Sequence, residues 1–169
     1  WVGGTANWDA ATTTNWSATS GGAGGASVPG TADTVTLDGS SGGGTVTMTA
    51  ASSVTSITMG NFTGTLDTNG QSVTTSGTFS ITGTSTRTLT LGASSITCAT
   101  WTATTTTNLT FNANTSTIAI TGATTFNGGA LTYNIVNLTG TTPTIAGVNT
   151  FGTLTRTGTA VKTDTLTLS

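Results

Sequence analysis

Three interleaved series of apolar residues, each stepping by roughly 20–23 positions, constrain this chain more than any other feature. Ile57 and Met59 are followed by Phe79 and Ile81, then by Trp101. Leu66 is followed by Leu89/Leu91, Leu109/Phe111 and Leu131/Tyr133. Val73 is followed by Ile96/Cys98, Ile118/Ile120 and Leu138. Around these positions apolar and polar residues alternate with period two, which turns one row of side chains inward and the next outward on a strand. Gly, Asn and Ser clusters part the runs, as turns require, and no stretch carries helical apolar spacing. Three short strands fit into each step. A coil of that kind is the unit of a parallel β-helix, in which each strand pairs with its equivalent one coil away, about 4.8 Å distant. The sequence therefore predicts an all-β chain, a parallel β-helix (β-solenoid) with about three strands per coil of roughly 22 residues. A right-handed coil is expected from about residue 34 onward. Its predicted core includes Leu89, Leu91, Ile96, Cys98, Leu109, Phe111, Ile118, Ile120, Leu131 and Tyr133.

Composition supports the same unit. Threonine makes up roughly 30% of the chain, against a norm in which Leu, Ala and Gly lead. It is β-branched and suits a pleated, half-exposed surface. Charged residues are only 5% of the chain and the net charge is −2. Ladders of like charges one coil apart would repel, so stacked coils favour uncharged outward positions. Leu, Ile, Val and Phe together fall just under the ~20% that accompanies disorder, but disorder also needs high net charge. An antiparallel sandwich is the competing all-β fold. Against it, the dipeptides that mark two-residue hairpins are scarce: Asp38-Gly39, Asn69-Gly70 and Asn127-Gly128.

The first 33 residues differ from the rest. They hold Trp1, Trp8 and Trp16, followed by the Gly-rich run SGGAGGASVPG. A solenoid needs a terminal coil that covers its core, and each large aromatic buries ~150–250 Å². Residues 1–33 are accordingly expected to form a capping segment and residues 34–169 the solenoid. A second reading has the tryptophans stacking on a sugar. At the other end the chain stops at TDTLTLS, in mid-beat, with Leu166 and Leu168 inward. An uncapped end exposes apolar stacks and strand edges that template further pairing. The expected partners are therefore either the remainder of a longer solenoid or copies of the same chain. In the second case Trp1, Trp8 and Trp16 of one copy would cover Leu166 and Leu168 of the next.

Chemistry-bearing residues are few. There is no His, which removes imidazole catalysis and His–metal ligation. Cys98 is alone on an inward beat with no electropositive neighbour, so it reads as a small core residue. Polysaccharide hydrolysis needs two carboxyl groups facing one bond. Asp9, Asp33, Asp38, Asp67 and Asp164 are scattered through turns and do not recur at one-coil spacing. LDTNGQ has a loose calcium-loop look but lacks the remaining ligands. Three basic residues supply no nucleic-acid patch. GGAGG lacks the Lys of a phosphate loop, and no apolar run approaches the ~20 residues of a membrane span. No cofactor, metal or catalytic residue is expected. Five Asn-x-Ser/Thr sequons, at Asn15, Asn61, Asn108, Asn114 and Asn137, carry little weight in so Thr-rich a chain.

The pattern W-V-G-G-x-x-x-W-D, then N-W-S, then V-P-G-x-x-D-T-V-x-L, spans Trp1 to Leu37. It resembles the entry segment of Thr/Gly/Ser-rich β-helical surface proteins of phages and bacteria, of tail-fibre, decoration or autotransporter-passenger type. Beyond Leu37 the resemblance is one of composition. It implies a non-enzymatic structural or adhesive fibre protein on a virion or cell exterior, with a cell-surface glycan as a possible target, and transfers no catalytic residue. Two other classes stay open. Thr-x-Thr arrays such as Thr34-Val35-Thr36, Thr45-Val46-Thr47 and Thr88-Leu89-Thr90 resemble those of ice-binding solenoids, provided that the repeat length is strict enough to align them. A polysaccharide-active β-helix enzyme would need acid pairs that the sequence does not show.

Overall fold

Alternating Thr and apolar residues wind into stacked parallel strands in the computed structural model, which describes residues 1–141 and 143–157. In chain order the strands are β1 (Ala6–Trp8), β2 (Thr34–Leu37), β3 (Thr45–Met48), β4 (Ser52–Val54), β5 (Ser56–Met59), β6 (Thr65–Asp67), β7 (Val73–Ile81) and β8 (Arg87–Thr90). They continue with β9 (Ser95–Ala103), β10 (Leu109–Asn112), β11 (Thr117–Ile120), β12 (Thr125–Asn127), β13 (Thr132–Leu138), β14 (Thr144–Ala146) and β15 (Thr150–Arg156). Every pairing among them is parallel, between a strand and its equivalent in the neighbouring coil. The chain is a β-solenoid.

Three columns of strands enclose one core. The first stacks β2, β5, the end of β7, the end of β9, β12 and β14, six rungs in all. The second stacks β1, β3, β6, β8 and β10. The third stacks β4, the start of β7, the start of β9, β11, and the ends of β13 and β15. The long strands β7 and β9 turn a corner between columns, with a register shift between Thr75 and Thr78.

The first and third apolar series lie in register as the sequence predicts. Val35, Ile57, Phe79 and Trp101 stack in a column with a uniform 22-residue step. Val73 lies on Ile96, Ile96 on Ile118, and Ile120 on Leu138. The second series holds through Leu66, Leu89 and Phe111 and then departs. β10 ends its sheet, and Thr132 and Tyr133 pair ahead with Thr150 and Phe151 instead of back with β10. The cause is coil length. Ile118 follows Ile96 by 22 residues, but Val136 follows Ile118 by 18 and Leu154 follows Val136 by 18. The shortened coil passes through Gly129 and Ala130, both left-handed at φ 62° and 60°, and its backbone does not form a ladder with β10. As a result Leu109, Phe111 and Leu131 are half-buried and pack against the core instead of lying within it, whereas the other seven predicted core residues are at most 1% exposed.

The Trp-rich segment already contributes a rung, because β1 pairs with β3 and sets Trp8 over Met48. Trp16 stands edge-on to both Trp1 and Trp8, with ring centroids 4.9 and 5.0 Å away. The backbone nitrogen of Trp1 donates to Thr36 O at 3.2 Å. Gly25 N–H donates to Thr13 O and Trp16 O, which folds the Gly-rich run back over the indoles. Trp1, Trp8 and Trp16 are all buried. Leu166 and Leu168 lie outside the described residues.

Asparagines fix several corners. Asn69, Asn108 and Asn114 adopt left-handed backbone at φ 48°, 56° and 49°, a conformation that Asn tolerates better than most residues. The Asn69 side chain donates to Met48 O and that of Asn108 to Thr84 O, each bond tying one coil to the preceding one.

Candidate functional site

The outer surface of the first column is a two-file array of small polar side chains. Thr34, Ser56, Thr78 and Thr100 form one file, and Thr36, Thr58, Ser80 and Thr102 the other. Strand geometry sets the rungs ~4.8 Å apart and the files about 6.7 Å apart. The array continues through Thr125 and Thr144, whose hydroxyls lie 2.7 Å apart, and ends at Asn127 and Ala146. The second column carries Thr45, Thr65, Thr88 and Thr110 in one file, and Thr47, Asp67, Thr90 and Asn112 in the other. Asp67 interrupts that file with a charge. The Thr-x-Thr pairs picked out of the sequence at Thr34, Thr45 and Thr88 thus fall on two different faces.

Among the described residues, concavities interrupt the regular surface in at least two places. A cleft of about 360 Å³ lies beside the N-terminal indoles, lined by Trp1, Trp16, Ser20, Asp33, Asp38 and Ser41 among others. Its lining includes two aspartates, Asp33 and Asp38, that lie close in the sequence. They flank β2, however, and five residues of extended chain separate them by about 16 Å. That exceeds the ~5–9.5 Å over which two carboxyl groups cooperate on a glycosidic bond. Each is also engaged locally. Asp33 accepts from Gly30 N–H at 2.8 Å. Asp38 accepts from the Ser20 hydroxyl at 2.6 Å and from Ser40 N–H at 2.9 Å, and the Ser20 bond holds its pKa below the usual carboxylate value. Asp9 is lowered in the same sense by the N–H groups of Thr12 and Ala11. Trp1 and Trp16 line the cleft but are only 6% and 3% exposed, so they offer it little ring surface.

The second concavity is a groove of about 410 Å³ where β10 parts from the next coil. Phe111, Tyr133 and Phe151 form its aromatic wall, and Asn114, Thr132, Asn134 and Thr150 its polar rim. No charged side chain lines it. Sequence reasoning missed this groove: the step from Ile120 to Leu138 shortens to 18 residues, but apolar spacing alone does not show which strand loses its ladder.

Arg87 and Cys98 are titratable groups held inside the fold. Among the described residues no cluster of three His, Cys, Asp or Glu side chains is placed to hold a metal. Arg87 is 1% exposed and points inward beside Leu89. Its guanidinium donates to Ser85 O, Thr105 O and Thr107 O at 2.8, 2.6 and 3.1 Å, and burial lowers its pKa.

Cys98 is buried, and burial pushes its thiol pKa from 9.0 up to about 12. Burial also raises the Tyr133 phenol, against the opposing effect of the indole N–H of Trp101. Both groups ionise first in the unfolded chain, so their contribution to stability is complete below pH 9 and is lost as pH climbs towards 12. The melting temperature is expected to fall progressively above pH 9. Cys98 is expected to resist a thiol-specific disulfide reagent at pH 8 until denaturant is added. Rapid labelling of the native chain would contradict the buried placement.

No protein-family model matches the chain, and no curated protein or solved structure matches it either.

Proposed function

We propose that this chain is a non-enzymatic structural module of a virion or cell exterior, a stiff rod that extends by end-to-end stacking. The reading rests on one observation. Among the described residues, β2 and β15 are the terminal strands of a ten-stranded parallel sheet; the outer side of β2 meets the N-terminal segment through Trp1 N and Thr36 O, and no described strand pairs with the outer side of β15. Such an edge templates pairing with an equivalent strand, and a head-to-tail contact that does not close on itself makes a filament. The low charge supports this, since charge is the usual guard on an open edge. So does the resemblance of the entry segment to β-helical surface proteins of phages and bacteria. Electron microscopy of the purified chain is expected to show filaments with an axial repeat of one subunit, about 29 Å for six rungs. Monodisperse single rods at high concentration would overturn it.

A second reading, ice binding, is favoured by the uniform 22-residue step of the first column, which aligns its hydroxyl files over four rungs. Thermal hysteresis that disappears in Thr58→Lys and Thr78→Lys would establish it. The absence of hysteresis in the wild type would remove it.

A further inference from the structure

We propose that the groove between β10 and the following coil is a binding site for an uncharged oligosaccharide. The groove exists because the 22-residue coil gives way to 18-residue coils, which leaves the inward side chain of Phe111 half-buried instead of sealed. Phe111, Tyr133 and Phe151 follow one another along its wall with ring centroids 5.1 and 5.9 Å apart. Phe111 and Phe151 are both partly open to solvent. Tyr133 is only 1% exposed and backs the two open rings, so Phe111 and Phe151 are the faces offered to a ligand with an apolar C–H face.

The rim supplies the complementary polar groups. The Asn134 side chain donates to Ser116 O at 3.0 Å, which orients its carboxamide and directs Oδ1 as an acceptor. Asn114 is exposed at a left-handed corner, and Thr132 and Thr150 add hydroxyls. Amides and hydroxyls around an aromatic strip match the alternating C–H faces and hydroxyls of a pyranose chain. The volume, about 410 Å³, lies in the ~300–1,000 Å³ range of small-molecule sites. With no charge on the lining, an acidic glycan or a nucleic acid finds no counter-ion there. An inserted peptide strand is disfavoured by distance. It would need ~4.8 Å on each side, whereas the rings of Phe111 and Tyr133 are already in contact across the gap.

The site is tested on the chain at low concentration, so its outcome is separate from that of stacking. Titration with neutral gluco-, manno- and N-acetylglucosamine tetrasaccharides, followed by NMR, is expected to shift the amides of 111–114, 132–134 and 150–152 for at least one sugar. Phe151→Ala should weaken that binding by about tenfold. Asn114→Gly keeps the left-handed backbone and should weaken it several-fold with the fold intact. The proposal is overturned if none of the three sugars shifts these amides at millimolar concentration, or if both variants bind as the wild type does. A stronger response to a uronic-acid tetrasaccharide or to an extended Thr-rich peptide would also overturn it.

Discussion

Trp101→Ala is expected to lower the unfolding free energy by about 3–5 kcal/mol. Trp101 is fully buried at the fourth rung of the first column. It stacks on Phe79 at 4.7 Å with planes 21° apart and meets Tyr133 edge-on at 6.0 Å. Its indole N–H donates to the Tyr133 hydroxyl at 3.0 Å, and that hydroxyl donates onward to Gly128 O at 2.8 Å. Removing the ring costs the transfer energy and leaves a cavity. Parallel ladders hold the backbone on either side, so the walls cannot close in. Because each coil touches only its neighbours, the damage falls on both interfaces of one coil in mid-rod. A domain of this size has about 5–15 kcal/mol in total, so the variant should unfold at a much lower urea concentration. Trp101→Phe keeps the stacking and loses the hydrogen bond, for a cost nearer 1 kcal/mol plus the unfilled volume. A loss below about 1 kcal/mol for the alanine variant would mean that the core is looser than its geometry shows.

The reach of the sequence can be judged residue by residue. The step from Val35 to Ile57, Phe79 and Trp101 was legible because the apolar residue and the register repeat at the same interval. The step from Phe111 to Tyr133 has the same interval, and the rings do meet, yet the backbones do not pair. Apolar spacing reports which side chains stack. It does not report the corner geometry at Gly129 and Ala130 that decides whether two backbones come into ladder distance. The groove was therefore invisible, being the consequence of a missing ladder. The cleft that Asp33 and Asp38 both line was equally hidden, since it depends on how the N-terminal loop folds over β2. Arg87 is a different case. It shares the inward beat of Leu89 and Leu91, a placement that was not read from the alternation. What the pattern lacked was the ring of acceptors, which comes from the backbone of two corners.

Arg87→Met is expected to cost about 2–3 kcal/mol and to loosen β10 before any other strand. The methionine keeps much of the apolar stem and removes every donor. Three backbone carbonyls then lose charge-assisted bonds: Ser85 in the corner before β8, and Thr105 and Thr107 in the corner before β10. The magnitude is set by location. Thr107 is exposed and Ser85 and Thr105 are half-buried, so water can reach these corners and replace part of what is lost. That places the cost at the level of forfeited charged hydrogen bonds, below that of acceptors stranded in a dry core. Arg87→Lys should recover only a fraction, because one ammonium on a flexible stem does not reproduce the planar fork that spans both corners. The local consequence follows from topology. β10 is held by a ladder on one side only, to β8, and that ladder begins where Arg87 pairs with Leu109. With the corner before β10 released, hydrogen exchange in residues 109–112 should accelerate more than in β9 or β11, each of which is paired on both sides. Uniform acceleration across all columns, or unchanged protection in β10, would show that the guanidinium does not hold this edge.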